Sequence, residues 1–210
     1  AVVLRLPGFF TDPHLSDDYY RFMWDGRLIV QGDNPYLFTP EEWAEKHPDR
    51  SHSELLEQMN SEGYYTIYTP INQIFFAYAA LFGKGDLSME LFWLRLGLLA
   101  FELLMLFLLS RWETSKHNDQ QLFYLYAFNP LVILEIVPNL HFEGVVLFWL
   151  ALAWFFWLKD KWMPSAVAFG MAICVKLLPL ILVPLIFLKM GRSKWKYLVV
   201  SIGLVVFTAI

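Results

Sequence analysis

The sequence predicts an all-α protein, a polytopic transmembrane helical bundle with an extracytoplasmic first loop containing surface helices. Three observations predict this. Hydrophobic residues make up 57% of the chain and aromatic residues 18%, with a mean hydropathy of +0.43, far from a soluble average. From about Leu91 onward, long apolar runs alternate with short basic loops. Residues 11 to 70 hold most of the acids and read as water-exposed. The chain therefore divides into 1–10, the end of a first transmembrane helix; 11–90, an extracytoplasmic loop with juxtamembrane helices that carries the candidate site; and 91–210, a transmembrane bundle truncated at its C-terminus. AVVLRLPGFF starts without Met and SIGLVVFTAI stops inside an apolar run, so the chain reads as a piece of a longer protein.

The elements follow in order. Ser16 is placed to cap a helix from Asp17 to about Gln31, with acids in its first turn where the helix dipole favours them. GDNPY then makes a tight turn that sets Tyr36 against the next segment. EEWAEKHPDRSHSELLEQMNSEGYY reads as a charged surface helix pair, and Ile71 to Phe82 as a helix lying along the outer surface, with a short tilted span as the alternative. A bilayer core takes about 20 apolar residues as a helix. Leu91–Ser110 and Leu122–Val137 meet that need, the second kinked by Pro130. Val145–Leu158 follows, and Tyr197–Ile210 begins a further span. Ser165–Leu188 is interrupted by Lys176, Pro179 and Pro184, and reads as two short helices meeting near Lys176.

Basic loops set the orientation. Arg111 and Lys116, Lys159 and Lys161, and Arg192, Lys194 and Lys196 lie in three loops that the positive-inside rule places in the cytoplasm. PNLHFE and residues 11–90 then lie outside. Broken helices at membrane depth are tolerated where they line a cavity. Asp17, Asp18, Arg21, Asp25, Tyr68, His141, Glu143 and Lys176 thus converge on one face of the membrane.

Several function classes drop out. The net charge of −4 comes largely from the front segment, and no basic stripe with interleaved aromatics indicates nucleic-acid binding. The single Cys174 excludes an internal disulfide and reads as a small buried hydrophobe. What remains is polar chemistry at a bilayer surface. Asp17, Arg21 and Asp25 recur at four-residue spacing and share a helix face, with Asp18 beside them; an ordinary salt-bridged surface helix has the same pattern. His141 and Glu143 form an H-x-E pair, which is two ligands and not a metal site; contacts to a sugar or a phosphate fit it better. Glu135 and Asn129 lie in a presumed span, where ionisable and polar groups are functional candidates. Arg95 and Glu102, seven apart, share a face and read as turned to the bundle interior. Lys176 sits at a helix break without a basic cluster around it. A lysine there can hold a lipid-linked phosphate and stabilise it as it departs.

SDDYYRFMWDGRLIVQGDNPY, YTPINQIFF, NPLVILEIVPNLHFE and VKLLPLILVP occur in that order from Ser16 to Pro184. In this the chain resembles polytopic glycosyltransferases of the C superfamily (GT-C), nearest to the bacterial polyprenyl-phosphate-mannose-dependent mannosyltransferases. Through its D-Y…G-x-x-P-Y…Y-T-P order it is more distantly similar to the enzyme that adds the first mannose in glycosylphosphatidylinositol synthesis. The resemblance implies a lipid-phosphate sugar donor, a glycan or glycolipid acceptor and an inverting displacement at the extracytoplasmic face of a bacterial inner membrane. It makes Asp18 the general base, with Asp17 its close competitor. Lys176 and Arg21 would hold the donor phosphate, and Asp25, Asn34, Tyr36, Tyr68, His141 and Glu143 would shape the substrate site. Where many relatives carry H-x-D, this chain has His141 and Glu143. No metal or other cofactor is expected, since a monophosphate leaves readily; the adjacent Asp17 and Asp18 are where a divalent cation would otherwise bind. Two other readings compete: a transporter or flippase of a lipid-linked sugar, which would show internal repeats that this chain lacks, and a non-catalytic scaffold, which has no use for ionisable groups at depth.

Overall fold

The computed structural model describes residues 2–50, 52–112, 120–189 and 194–209. Among them every regular element is helical. Of the orienting basic residues, Lys116 and Arg192 lie outside the described residues.

The first segment departs from expectation. Val3–Phe10 winds as a 3₁₀ helix containing Pro7, not as the α-helical end of a span. Proline removes a backbone donor, and Arg5 turns inward, its Nε donating to Glu102 Oε2 at 2.7 Å and its Nη1 to the Ala127 carbonyl at 3.1 Å. Helix α1, Asp18–Val30, starts one residue later than expected. Asp17 takes the cap position without a side-chain bond, while Ser16 Oγ accepts from the Asp18 amide at 3.1 Å. Gly32, at φ 90°, turns the chain out of the helix.

The inserted segment folds as α2, Pro40–Lys46, a 3₁₀ turn Pro48–Arg50, and α3, Ser53–Leu56. Thr39 and Glu42 close a capping box on α2, each side chain accepting the other's amide. Its charged face conceals an anchor: Trp43 meets Trp24 of α1 edge-on at 5.8 Å, and both rings are buried. Helix α4, Pro70–Gly83, lies where a surface helix was expected and crosses α1 closely. A β-carbon on Gly26 would stand 2.3 Å from the Phe76 carbonyl oxygen, so only glycine permits the approach.

Helix α5, Leu87–Ser110, is capped by Asp86, whose Oδ1 accepts from the Met89 amide at 3.0 Å. At 24 residues and a window hydropathy of 2.1, it is the one described helix long and apolar enough to cross a membrane. The run 122–137 is not one kinked span. It splits into α6, Gln120–Ala127, and α7, Pro130–Glu135. Asn129 caps α7 by accepting from the Leu131 amide at 2.9 Å, and Pro130 occupies the first position, where its missing donor costs nothing. Helices α8, Glu143–Leu158, and α9, Trp162–Val175, form an antiparallel pair. After α9 the chain breaks at Lys176, continues as a 3₁₀ turn Leu178–Leu182 and α10, Val183–Lys189, and ends in α11, Lys194–Ala209.

Four apolar clusters hold the described helices, and two of them are larger than the rest. The larger joins α1, α4, α5, α8 and α9 through Met23, Trp24, Phe76, Leu94, Leu98, Phe142 and Val175. The smaller joins α8, α9 and α11 through Ala153, Ala166, Phe169 and Tyr197. Small residues allow that closeness: Ser165 Oγ donates to the Ala153 carbonyl at 2.8 Å, and Ser201 Oγ to the Ala166 carbonyl at 2.9 Å. Arg95 and Glu102 both face inward, but they do not serve each other. Glu102 pairs with Arg5, while Arg95 donates to the carbonyls of Phe9, Thr11 and Pro138. Each ties the N-terminal segment to α5.

Candidate active site

Aromatic rings make the floor of the site. Phe22 of α1 stacks on Phe76 of α4 with centroids 4.6 Å apart. Phe142, just ahead of α8, meets them edge-on at 6.0 and 5.7 Å. Tyr68, just ahead of α4, meets Phe22 edge-on at 4.9 Å. Each ring carries polar neighbours in sequence: Asp18 lies one turn before Phe22, and His141 and Glu143 flank Phe142. Burying the rings against one another therefore gathers those polar groups around a single patch.

On one side of the floor stands Asp18, half-buried in the first turn of α1. The Tyr68 phenol faces it. Burial, then the carboxylates of Asp18 and Asp25, push the Tyr68 pKa well above that of a free tyrosine. Tyr36 donates its hydroxyl to the Tyr68 carbonyl at 2.7 Å, which fixes Tyr68 from behind. Burial, with Asp25 second, pushes the Tyr36 phenol up to about 12. Asn34 spends its side chain on the turn, accepting from the Tyr36 amide at 2.9 Å. Asp17, by contrast, is exposed to solvent.

Arg21 and Asp25 lie beneath this surface. Arg21 is 3% exposed; its Nε donates to Asp25 Oδ1 at 2.8 Å, and its Nη1 to the carbonyls of Ser61 and Tyr64 at 3.0 and 2.8 Å. It clamps the 61–64 loop to α1. Asp25 is fully buried and also accepts from Thr66 Oγ1 at 2.6 Å and Gln73 Nε2 at 2.8 Å. Burial pushes its carboxyl up, against the opposing pull of Arg21, Thr66 and Gln73. Asp25 thus forms a buried keystone between α1, α4 and the loop.

On the other side stands Lys176. The backbone there is extended (φ −146°, ψ 145°), which swings the side chain away from the axis of α9. Its Nζ donates to Glu143 Oε1 at 2.5 Å, and both side chains remain partly open, at 38% and 47% exposure. Glu143 Oε2 lies 3.9 Å from His141 Nδ1, which is 3.8 Å from Glu135 Oε2. Leu140, buried with a φ of 61°, is the strained residue that presents His141. Two donors from the start of α4 reach across to α9: Thr69 Oγ1 and Asn72 Nδ2 both bond the Val175 carbonyl at 3.2 Å. The 11–16 loop is held to the same corner, the His14 amide donating to Asn139 Oδ1 at 3.0 Å.

The patch thus combines a carboxylate, a phenol, an ammonium and an imidazole, a set suited to proton removal and anion stabilisation. Among the described residues no group of three or more His, Cys, Asp or Glu side chains is arranged to hold a metal ion. Sequence reasoning singled out Asp18, Tyr68, His141, Glu143 and Lys176, which the fold brings to the patch. It missed Thr66, Thr69, Asn72, Gln73 and Asn139. The pair Asn72–Gln73, polar in the apolar run PINQIFF, was the available signal.

A family model described as alpha-(1->6)-mannopyranosyltransferase, N-terminal domain, matches residues 1–192. The chain belongs to this family. The match spans every residue of the patch, from Asp17 to Lys176. No curated protein and no solved structure matches the chain. As an alpha-(1->6)-mannopyranosyltransferase N-terminal domain, the chain is a glycosyltransferase domain, which accords with the resemblance drawn from its motifs. A sugar donor and a glycan acceptor are what an enzyme of this family acts on.

Proposed function

We propose that the chain forms the catalytic part of an integral-membrane mannosyltransferase. It moves mannose from a polyprenyl-phosphate donor to a lipid-linked or glycan acceptor on the extracytoplasmic face of a bacterial inner membrane. The observation that carries this reading is the division of the patch: Asp18 and Tyr68 on one side, and Lys176 with Glu143 on the other, across the Phe22–Phe76–Phe142 floor.

The acceptor hydroxyl oxygen attacks the anomeric carbon from the side opposite the phosphate, giving inversion. Asp18 takes the hydroxyl proton as that bond forms. The bond between the anomeric carbon and the phosphate oxygen breaks, and the polyprenyl phosphate leaves with the electron pair. Lys176 Nζ stabilises the departing charge. Glu143 and His141 contact the sugar hydroxyls, and Tyr68 borders the acceptor. A phosphate monoester is already a good leaving group, so the step runs without a metal ion. In this reading α5, which is long and apolar enough to cross a membrane, is joined by the shorter apolar α8, α9 and α11. The patch lies at the end where α8 begins and α9 finishes, while Lys159 and Lys161 lie at the other end, as the proposed orientation requires.

The test uses the full-length protein in nanodiscs with radiolabelled polyprenyl-phosphate-mannose and a membrane lipid extract. Wild type transfers label to an acceptor, and Asp18→Asn retains donor binding but loses transfer by at least a hundredfold, on the scale of a lost general base. Saturable donor binding without transfer by wild type would instead favour a flippase.

A further inference from the structure

Lys176 is bound to the fold in an unusual way. Its own helix, α9, ends at Val175, and the Val175 carbonyl is among the terminal carbonyls that the helix leaves without an internal partner. Two side chains from another element accept the task of satisfying it: Thr69 Oγ1 and Asn72 Nδ2, from residues 106 and 103 positions away in sequence, both at 3.2 Å. Thr69 directly follows Tyr68, whose phenol faces Asp18. One short run of chain, 68–72, thus touches both sides of the patch. Asn72 is 2% exposed, and its Oδ1 has no hydrogen-bond partner among the described residues. A buried, half-satisfied amide is costly to keep.

We infer that Thr69 and Asn72 are positioning residues for the donor phosphate: by holding the Val175 carbonyl, which Pro179 leaves without its backbone donor, they fix the end of α9 and seat Lys176 Nζ against the patch. The inference rests on the proposed role of Lys176. Without the two bonds, Lys176 loses its backbone's polar tie to α4 and rests on the apolar packing of Ala172 and Val175. Its ammonium then samples positions away from Asp18 and Tyr68, and a phosphate loses a preorganised partner.

The test compares two ligands of the full-length protein in nanodiscs: polyprenyl monophosphate, and the uncharged polyprenol of the same length. Binding is read by tryptophan fluorescence for wild type, Thr69→Val, Thr69→Ser, Asn72→Ala and Lys176→Ala, each checked for thermal unfolding. Thr69→Val and Asn72→Ala each weaken the phosphate ligand about tenfold, the scale of one lost hydrogen bond to a positioned group. They leave polyprenol binding unchanged, and Thr69→Ser restores the phosphate affinity. Equal losses on both ligands, or no loss on the phosphate, would overturn the inference and leave the two residues purely structural. A Lys176→Ala protein that binds both ligands like wild type would sink the phosphate role of Lys176 itself. If Asn72→Ala fails to fold, the Thr69→Val and Thr69→Ser pair decides alone.

Discussion

Replacing Asp25 with alanine should cost stability and not substrate recognition. The carboxylate is fully buried and takes hydrogen bonds from Arg21, Thr66 and Gln73 at 2.8, 2.6 and 2.8 Å. Asp25→Ala leaves the Arg21 guanidinium buried without its anion, and that loss alone costs about 3–5 kcal/mol. The Thr66 hydroxyl and the Gln73 amide lose an acceptor as well, but they can turn to each other, since they already lie 3.1 Å apart. A total of about 4 kcal/mol follows, a large share of the roughly 5–15 kcal/mol that holds a typical domain folded. Asp25→Asn keeps an acceptor oxygen for Arg21 and should lose about half as much. The assay is unfolding of the full-length protein in detergent, followed by tryptophan fluorescence, beside acceptor KM for whatever fraction remains folded. Asp25→Ala with a wild-type unfolding midpoint and a raised acceptor KM would refute the keystone assignment and return Asp25 to the substrate surface.

Three further outcomes are expected. Gly26→Ala sets a methyl group 2.3 Å from the Phe76 carbonyl oxygen and should destabilise by about 1–3 kcal/mol through forced separation of α1 and α4, seen as a lowered unfolding midpoint. Phe22→Ala removes the central ring of the floor, buried to 7% exposure, and should cost about 3–5 kcal/mol while lowering transfer by the folded fraction. His52 supplies a pH dependence: burial, then the Arg27 guanidinium, hold its pKa below the ordinary 6.5. The unfolded chain then binds a proton that the folded chain resists, so stability is complete above pH 6.5 and falls as the pH drops below it. His52→Asn should flatten that acid-side loss in unfolding midpoints measured between pH 7.5 and about 5.

The elements written locally were the legible ones. Helix α5 is announced by the apolar run from Leu91, though it starts four residues earlier behind the Asp86 cap, and the break at Lys176 is announced by a lysine followed at short range by Pro179. Asn129–Pro130 carried the signature of a new helix start, but within a run of apolar residues it read as a kink. Arg21 shows why the site was only half readable. Its four-residue spacing to Asp25 is visible in sequence, whereas the Ser61 and Tyr64 carbonyls that its Nη1 bonds lie 40 and 43 residues away. Backbone acceptors leave no trace in residue identity. The same holds for Arg95, which binds three carbonyls, and for Thr69 and Asn72 at Val175. Arg5 and Glu102 form a buried pair 97 residues apart that no local pattern marks.

Helices α8 and α9 have 16 and 14 residues, so they rise about 24 and 21 Å where a bilayer core measures about 30 Å. In the proposed setting both begin or end at the patch, and a membrane wrapped around them must thin there to match. The water–lipid boundary then dips toward Lys176, carrying the donor's headgroup down with it and shortening the isoprenoid's climb out of the hydrocarbon. Under that proposal, lipid chain length would act as a control on the enzyme, thin bilayers relieving the mismatch and thick ones drawing the headgroup plane away from Lys176.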